Sequence, residues 1–179
     1  MPSDAPDFGL RSDELQLVPV GPEWAQRFSS ESSRLSAALG SAALDIQHIG
    51  STAIPGICAK PILDIAIAIR SYESGHALVP RFEALGYRYR GENGIPRRHY
   101  FVLGAPRRTH HVHVLEHDSD EWRRHLAFRD RLLGSPADAA RYSAFKSRCA
   151  AEALGCREEY QRLKTPFIEA METGNILSL

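Results

Sequence analysis

Asp64 interrupts the apolar run Ile62 to Ile69. Side chains alternate faces along a strand, so Leu63, Ile65, Ile67 and Ile69 share one face, expected to be buried under helices. Ile62, Asp64, Ala66 and Ala68 share the other. A carboxylate in mid-strand costs desolvation unless it is paired, hydrogen-bonded or metal-bound, and the small alanines beside it leave room for a cleft. It would equally serve as a structural carboxylate satisfied by arginines or backbone N–H groups. The run Thr109-His110-His111-Val112-His113-Val114 places His111 and His113 on one strand face and His110 on the other. Two imidazoles at that spacing can share a metal ion or a phosphate. Leu115 stands where a third alternating histidine would be, which excludes the histidine-triad nucleotide hydrolases.

The turn His48-Ile49-Gly50-Ser51-Thr52 is an anion site in outline: Gly50 permits close backbone approach, and Ser51 and Thr52 offer hydroxyls and N–H groups. It lacks the Gly-Lys-Ser/Thr ending of a phosphate loop. Between Arg88 and His111 six arginines, Arg97-Arg98 and Arg107-Arg108 among them, face one acid, Glu92. Beside Asp64 and the histidine pair, such a basic patch suits a polyphosphate.

The elements that must position these residues follow from period and punctuation. Leu15 to Val20 reads as a short strand, and Gly21-Pro22 opens a helix with Trp24, Phe28, Leu35 and Leu39 on its apolar face, stopped by Gly40. Leu44 to Ile49 is a second strand, Ser51 to Lys60 a compact loop or single helical turn, and Ile62 to Ile69 the central strand. Tyr72 to Leu85 reads as one helix ended by Gly86. Tyr87 to Arg90, Tyr100 to Leu103 and His111 to Leu115 follow as strands. After Asp118 come three helices, opened at Ser119, at Ser135-Pro136 and near Arg157, the last ending near Thr173-Gly174. Trp122, Phe128 and Leu132 read as core, and Arg123, Arg124 and Arg131 as solvent-facing. The result is one α+β domain over residues 1–179: a flexible lead at 1–12, a sheet region at 15–116 and a helical region at 118–174.

With 179 residues the chain is long enough to bury a core without disulfides or a structural metal. Lys+Arg and Asp+Glu both count 22, a balance that argues against nonspecific nucleic-acid binding. Only Lys60, Lys146 and Lys164 are lysines. The three cysteines form no CxxC pair, which excludes zinc-ribbon and thioredoxin-like sites. No leader pattern or apolar run approaches the roughly 20 residues of a spanning helix, so a cytoplasmic protein without a membrane partner is expected.

Beyond these local readings, the sequence resembles the GrpB family, also called uncharacterised protein family 0157. The resemblance rests on Pro22-Glu23-Trp24, His48 to Gly56, Lys60 to Ile65, Arg90 to Pro96, Tyr100-Phe101, Thr109 to Val114 and Glu121 to Asp130. The family is similar to a branch of the nucleotidyltransferase superfamily, which implies a mixed β-sheet flanked by helices, with a C-terminal helical portion. It also implies that Gly50, Ser51 and Thr52 hold the phosphates of a nucleotide and that Lys60 or Arg98 neutralises charge. Asp64 matches the second member of that superfamily's Asp-x-Asp metal pair, while Ile62 stands at the first and His111 and His113 replace the later carboxylate. Asp64, His111 and His113 are then the catalytic and metal-binding candidates for a divalent metal (Mg, Mn or Zn), although Mg²⁺ prefers oxygen ligands. Three functions remain open: nucleotidyl transfer to an acceptor, an accessory module that binds a nucleotide or phosphorylated small molecule (domains of this family occur fused to dephospho-coenzyme A kinases, and a protein partner would fit), or a single-metal enzyme of another class.

Overall fold

The structure, a computed structural model, describes residues 8–173. Its centre is a five-stranded mixed sheet in the order β2 (Asp45–Ile49), β4 (Leu63–Ile69), β7 (His110–Glu116), β6 (His99–Leu103), β5 (Arg88–Tyr89). β4 and β7 run parallel in the middle, and the other neighbours are antiparallel. A separate two-stranded ribbon joins β1 (Val18–Pro19) to β3 (Cys58–Ala59). This is the expected α+β class.

The alternation of β4 decides which face is covered. Leu63, Ile65, Ile67 and Ile69 are buried with Phe101, Val112 and Val114 under Trp24, Leu35 and Leu39 of α1 (Glu23–Leu39) and Phe82 of α3 (Val79–Ala84). On the other face Ala66 and Ala68 pack with Ile49, Leu115 and Trp122 of α4 (Asp120–Gly134). α5 (Pro136–Glu152) and α6 (Arg157–Thr173) complete the helical region. Ser119 and Ser135 cap α4 and α5 by accepting from the backbone N–H of Trp122 and Asp138, the serine-led starts expected of them. Among the described residues no helix is long and apolar enough to cross a membrane.

Several expectations need correction. The helix foreseen at Tyr72 to Leu85 is broken into α2 (Tyr72–Gly75), a tight turn at His76–Leu78, and α3. Pro80 lacks the N–H that a continuous helix would need and clashes with the preceding turn. Gly75 also lies against the His99 ring, where an added Cβ would sit 2.4 Å from Nε2. The first strand shrinks to Val18–Pro19. Of the lead expected at 1–12, residues 1–7 lie outside the described part, but Leu10 is buried and pairs with Arg108 through N–H···O bonds of 3.0 and 2.7 Å. Arg131 is held in the helical region by Asp138 and the Met171 carbonyl rather than facing solvent. Gly174, the expected helix stop, lies outside the described residues.

Candidate functional site

The uncovered part of the sheet floors a cleft of about 810 Å³, a size usual for small-molecule sites. Gly50, Ser51, Thr52, Lys60, Asp64, Arg98, His111 and His113 all line it. The parallel register sets Asp64 opposite His111, and the His111 Nδ1–H donates to Asp64 Oδ1 at 3.1 Å. Burial pushes the Asp64 carboxyl up, but this hydrogen bond and the charges of His111, His113 and Lys60 outweigh it and hold the group at about 2. Burial lowers His111 despite the carboxylate, which pulls the other way. The ring is therefore neutral at pH 7, with its proton on Nδ1. Its Nε2 is buried and has no hydrogen-bond partner among the described residues. A neutral imidazole oriented by a carboxylate, with an unengaged lone pair, is equipped to accept a proton.

His113 has a different task. Its Nδ1 accepts from Arg98 Nη1 at 3.1 Å, and its ring meets that of His125 edge to face at 4.9 Å between centroids. Burial, then the neighbouring His125, keeps His113 well below the usual imidazole range. Arg98 is itself buried, with its other N–H groups on the carbonyls of Glu92 and Asn93.

Those bonds limit how a metal could be held. The Nδ1 atoms of His111 and His113 are engaged, one with Asp64 and one with Arg98, which leaves their Nε2 atoms as the nitrogens an ion could take. Among the described residues no three His, Cys, Asp or Glu side chains are placed to hold one ion. Asp64, His111 and His113 share a face as foreseen, but not as a ligand set. A resident metal held by all three side chains at once does not fit that placement. Protein dialysed against Zn²⁺ or Mn²⁺ and then desalted should retain well under one equivalent by elemental analysis. A full equivalent lost on His113→Gln would restore the three-ligand site.

The Gly50 turn makes contacts that the sequence did not announce. Gly50 has φ +68° and ψ −172°, a region essentially reserved for glycine. A Cβ there would lie 2.7 Å from Asp64 Oδ2. The close approach that Gly50 allows is thus to the carboxylate of β4. The Thr52 hydroxyl is 3.1 Å from His48 Nε2 and donates to the Ile62 carbonyl at 3.4 Å, which binds the turn to the sheet. Ser51–Ala53 is a single three-residue turn, too short for a helix-terminus anion site. Gly50→Ala should cost about 1–3 kcal/mol from the backbone alone. Urea unfolding measures it, and an unchanged midpoint would refute the tight fit.

Sequence reasoning missed the opposite wall. Arg124 and His125 of α4, Lys146 of α5, and Arg157 and Lys164 of α6 all line the cleft, as do Arg90 and Arg108. Of each arginine pair one member turns in: Arg98 lines the cleft while Arg97 ion-pairs with Glu116 at 2.9 Å, and Arg108 lines it while Arg107 reaches the Gly9 carbonyl. Among the described residues eight lysine and arginine side chains and one carboxylate, Asp64, line the space. Among the described residues only Arg124 of these eight forms an ion pair, with Glu121 at 2.7 Å. Burial, then Lys164, brings both Lys60 and Lys146 down to about 7. The available signal was scarcity, since all three lysines of an arginine-rich chain meet here.

The model of the GrpB protein family matches residues 14–173. This chain belongs to the GrpB family. The UPF0157 protein YqkA of Bacillus subtilis is 38% identical over 159 residues, covering 89% of this chain and 46% of its own length. A UPF0157 protein of Pseudomonas aeruginosa is 39% identical over 85% of this chain and 64% of its own. The chain thus spans about half to two thirds of the length of these two relatives. The crystal structure of the conserved protein GrpB from Enterococcus faecalis superposes with a TM-score of 0.84 at 35% identity, covering 90% of this chain and 97% of that one. The mixed sheet and helical region described above are therefore a GrpB fold.

Proposed function

We propose that this GrpB chain binds a nucleotide or another phosphorylated small molecule in the cleft and transfers a nucleotidyl group from it to an acceptor hydroxyl. The carrying observation is the charge of the lining: eight cations against one carboxylate. A buried cation without a counter-charge is costly, and a polyanionic ligand offsets that cost. The cavity volume of about 810 Å³ suits a small molecule. In the transfer, the acceptor oxygen bonds to the α-phosphorus as its proton passes to His111 Nε2, and the bond to pyrophosphate breaks. The lysines and arginines take up the charge of the leaving group. No step needs a resident metal, and any Mg²⁺ enters with the nucleotide.

The test is thermal unfolding of metal-stripped protein with ATP, GTP, CTP or UTP, with and without Mg²⁺, followed by assay of pyrophosphate release with small alcohols and amines. Ligand at 100 times its Kd should stabilise by about 2.7 kcal/mol. If no nucleotide or sugar phosphate shifts the transition, the binding reading fails. A shift without pyrophosphate release for any acceptor leaves binding alone and overturns the transfer.

A further inference from the structure

We propose that the ligand's phosphate chain sits on the helical wall, in a subsite made by Lys60, Lys146, Arg157 and Lys164, and that this subsite takes two or three linked phosphates. The proposal rests on the phosphate reading of the cleft and moves the chain within it from the Gly50–Thr52 turn to the adjoining helices, where Tyr142 Oη lies 3.4 Å from Ser51 Oγ.

The four cations come from three places in the sequence, and the three lysines among them meet around two tyrosine rings. Lys60 Nζ lies 5.6 Å and Lys164 Nζ 5.7 Å from the Tyr160 ring centroid. Lys146 Nζ lies 4.4 Å from the Tyr142 centroid. Arg157 and Lys164 are seven residues apart on α6 and so share a helix face. Among the described residues none of the four has a carboxylate partner. The ammonium of Lys146, almost wholly buried at 1% exposure, donates to the Cys58 carbonyl. Arg157 Nη1 is buried with no hydrogen-bond partner among the described residues. A buried donor without a partner costs free energy, and a phosphate oxygen there would satisfy it while facing the neighbouring ammonium groups.

The turn is the poorer seat. Its glycine is pressed against the Asp64 carboxylate, whose charge repels phosphate, and its threonine hydroxyl is occupied. Charge also sets the length of the chain. Four clustered cations match the three to four negative charges of pyrophosphate or triphosphate, whereas a single phosphate leaves half of them unmatched.

Calorimetric titration of the full chain with inorganic phosphate, pyrophosphate and triphosphate tests this. Triphosphate should bind at least tenfold more tightly than phosphate. Lys164→Gln and Arg157→Gln should each weaken it tenfold or more, with Lys164→Arg recovering most of the loss. Arg162→Gln removes the same charge from the outer side of α6, where Arg162 pairs with Glu159, and should change affinity less than twofold, as should Ser51→Ala. Loss at Ser51→Ala with the wall variants unaffected would return the chain to the turn, overturning this subsite while leaving the proposed function intact. Equal affinity for phosphate and triphosphate would overturn the linked-phosphate assignment. If neither the inorganic anions nor any nucleotide binds, both readings fall together.

Discussion

Asp64→Asn should bind inorganic triphosphate about tenfold more tightly than the native protein while losing any transfer activity. Asp64 is the one carboxylate lining a cleft of cations, and the His111 bond and nearby cations hold it ionised against burial, at about 2. Its charge repels the phosphates that the lysines attract. At roughly 8 Å and an effective dielectric of about 20, one unit charge is worth about 2 kcal/mol. Part of that is lost to screening, which leaves about the 1.4 kcal/mol that corresponds to tenfold. The asparagine oxygen still accepts from His111 Nδ1–H, so the fold should hold, but the imidazole loses the charge that steadies it once it has taken a proton. A carboxylate serving as a metal ligand predicts the reverse sign, because its removal would weaken binding of a metal–nucleotide complex. Titration in EDTA, with triphosphate and then ATP, decides between them. Weaker triphosphate binding by the variant would refute a purely repulsive role for Asp64 in phosphate binding.

The second large effect is on pH. Lys60 and Lys146 fall from an ordinary 10.5 to about 7 in the folded protein. Lys60 faces Lys164, Arg157 and Arg108, which lower it, and Asp64, which raises it. Lys146 faces Lys164 and Lys60, with Cys58 acting in the opposite sense. Between pH 7 and 10 the unfolded chain therefore binds more protons than the folded one. Stability then rises with pH in that window, by at most about 1.4 kcal/mol per pH unit for each lysine. Below pH 7 both states hold these protons and the contribution is flat. Above pH 10 the trend reverses, because burial pushes Tyr87, Tyr100 and Tyr160 up while their unfolded counterparts ionise. Triphosphate seated among the lysines restores their charge, so binding at pH 8 to 9 should take up between one and two protons. Titration in two buffers of different ionisation enthalpy measures that number. Zero uptake, or stability that falls from pH 7 to 9, would refute the uncompensated lysines.

How much of this could be read from the chain depends on the range of the interaction. The faces of β4 and β7 were legible because a strand alternates with period two: Asp64 with its alanines, and His111 with His113, needed no partner to be placed. Their pairing was not legible. Asp64 and His111 are 47 residues apart, and nothing local fixes the register between two parallel strands. The caps at Ser119 and Ser135 are local chemistry and were visible. Pro80 is equally local and weighs against the single helix expected from Tyr72, although the apolar spacing around it favours one. The GrpB resemblance named residues that line the cleft, but the hydrogen bonds on Thr52, Asp64, His111 and His113 are visible only in the folded structure. Lys146, Arg157 and Lys164 stayed hidden for a further reason. On helices of ordinary amphipathic pattern they look like solvated charges, and only the docking of α5 and α6 on α4 and on the β1–β3 ribbon turns them inward.

The scarcity of lysine has a consequence for the covalent chemistry of this protein. Guanidinium groups resist acylation at neutral pH, and 19 of the 22 basic side chains are arginine. Lys60, Lys146 and Lys164 are all buried or half-buried in one cleft. The outer surface therefore offers acyl phosphates, thioesters and reactive aldehydes no lysine amine outright. Two of the three cleft amines carry a depressed proton affinity that makes them nucleophilic near pH 7. Any acylation of lysine on this protein, by a metabolite or by a labelling reagent, is thereby an event in the cleft, and an occupied cleft is its protection.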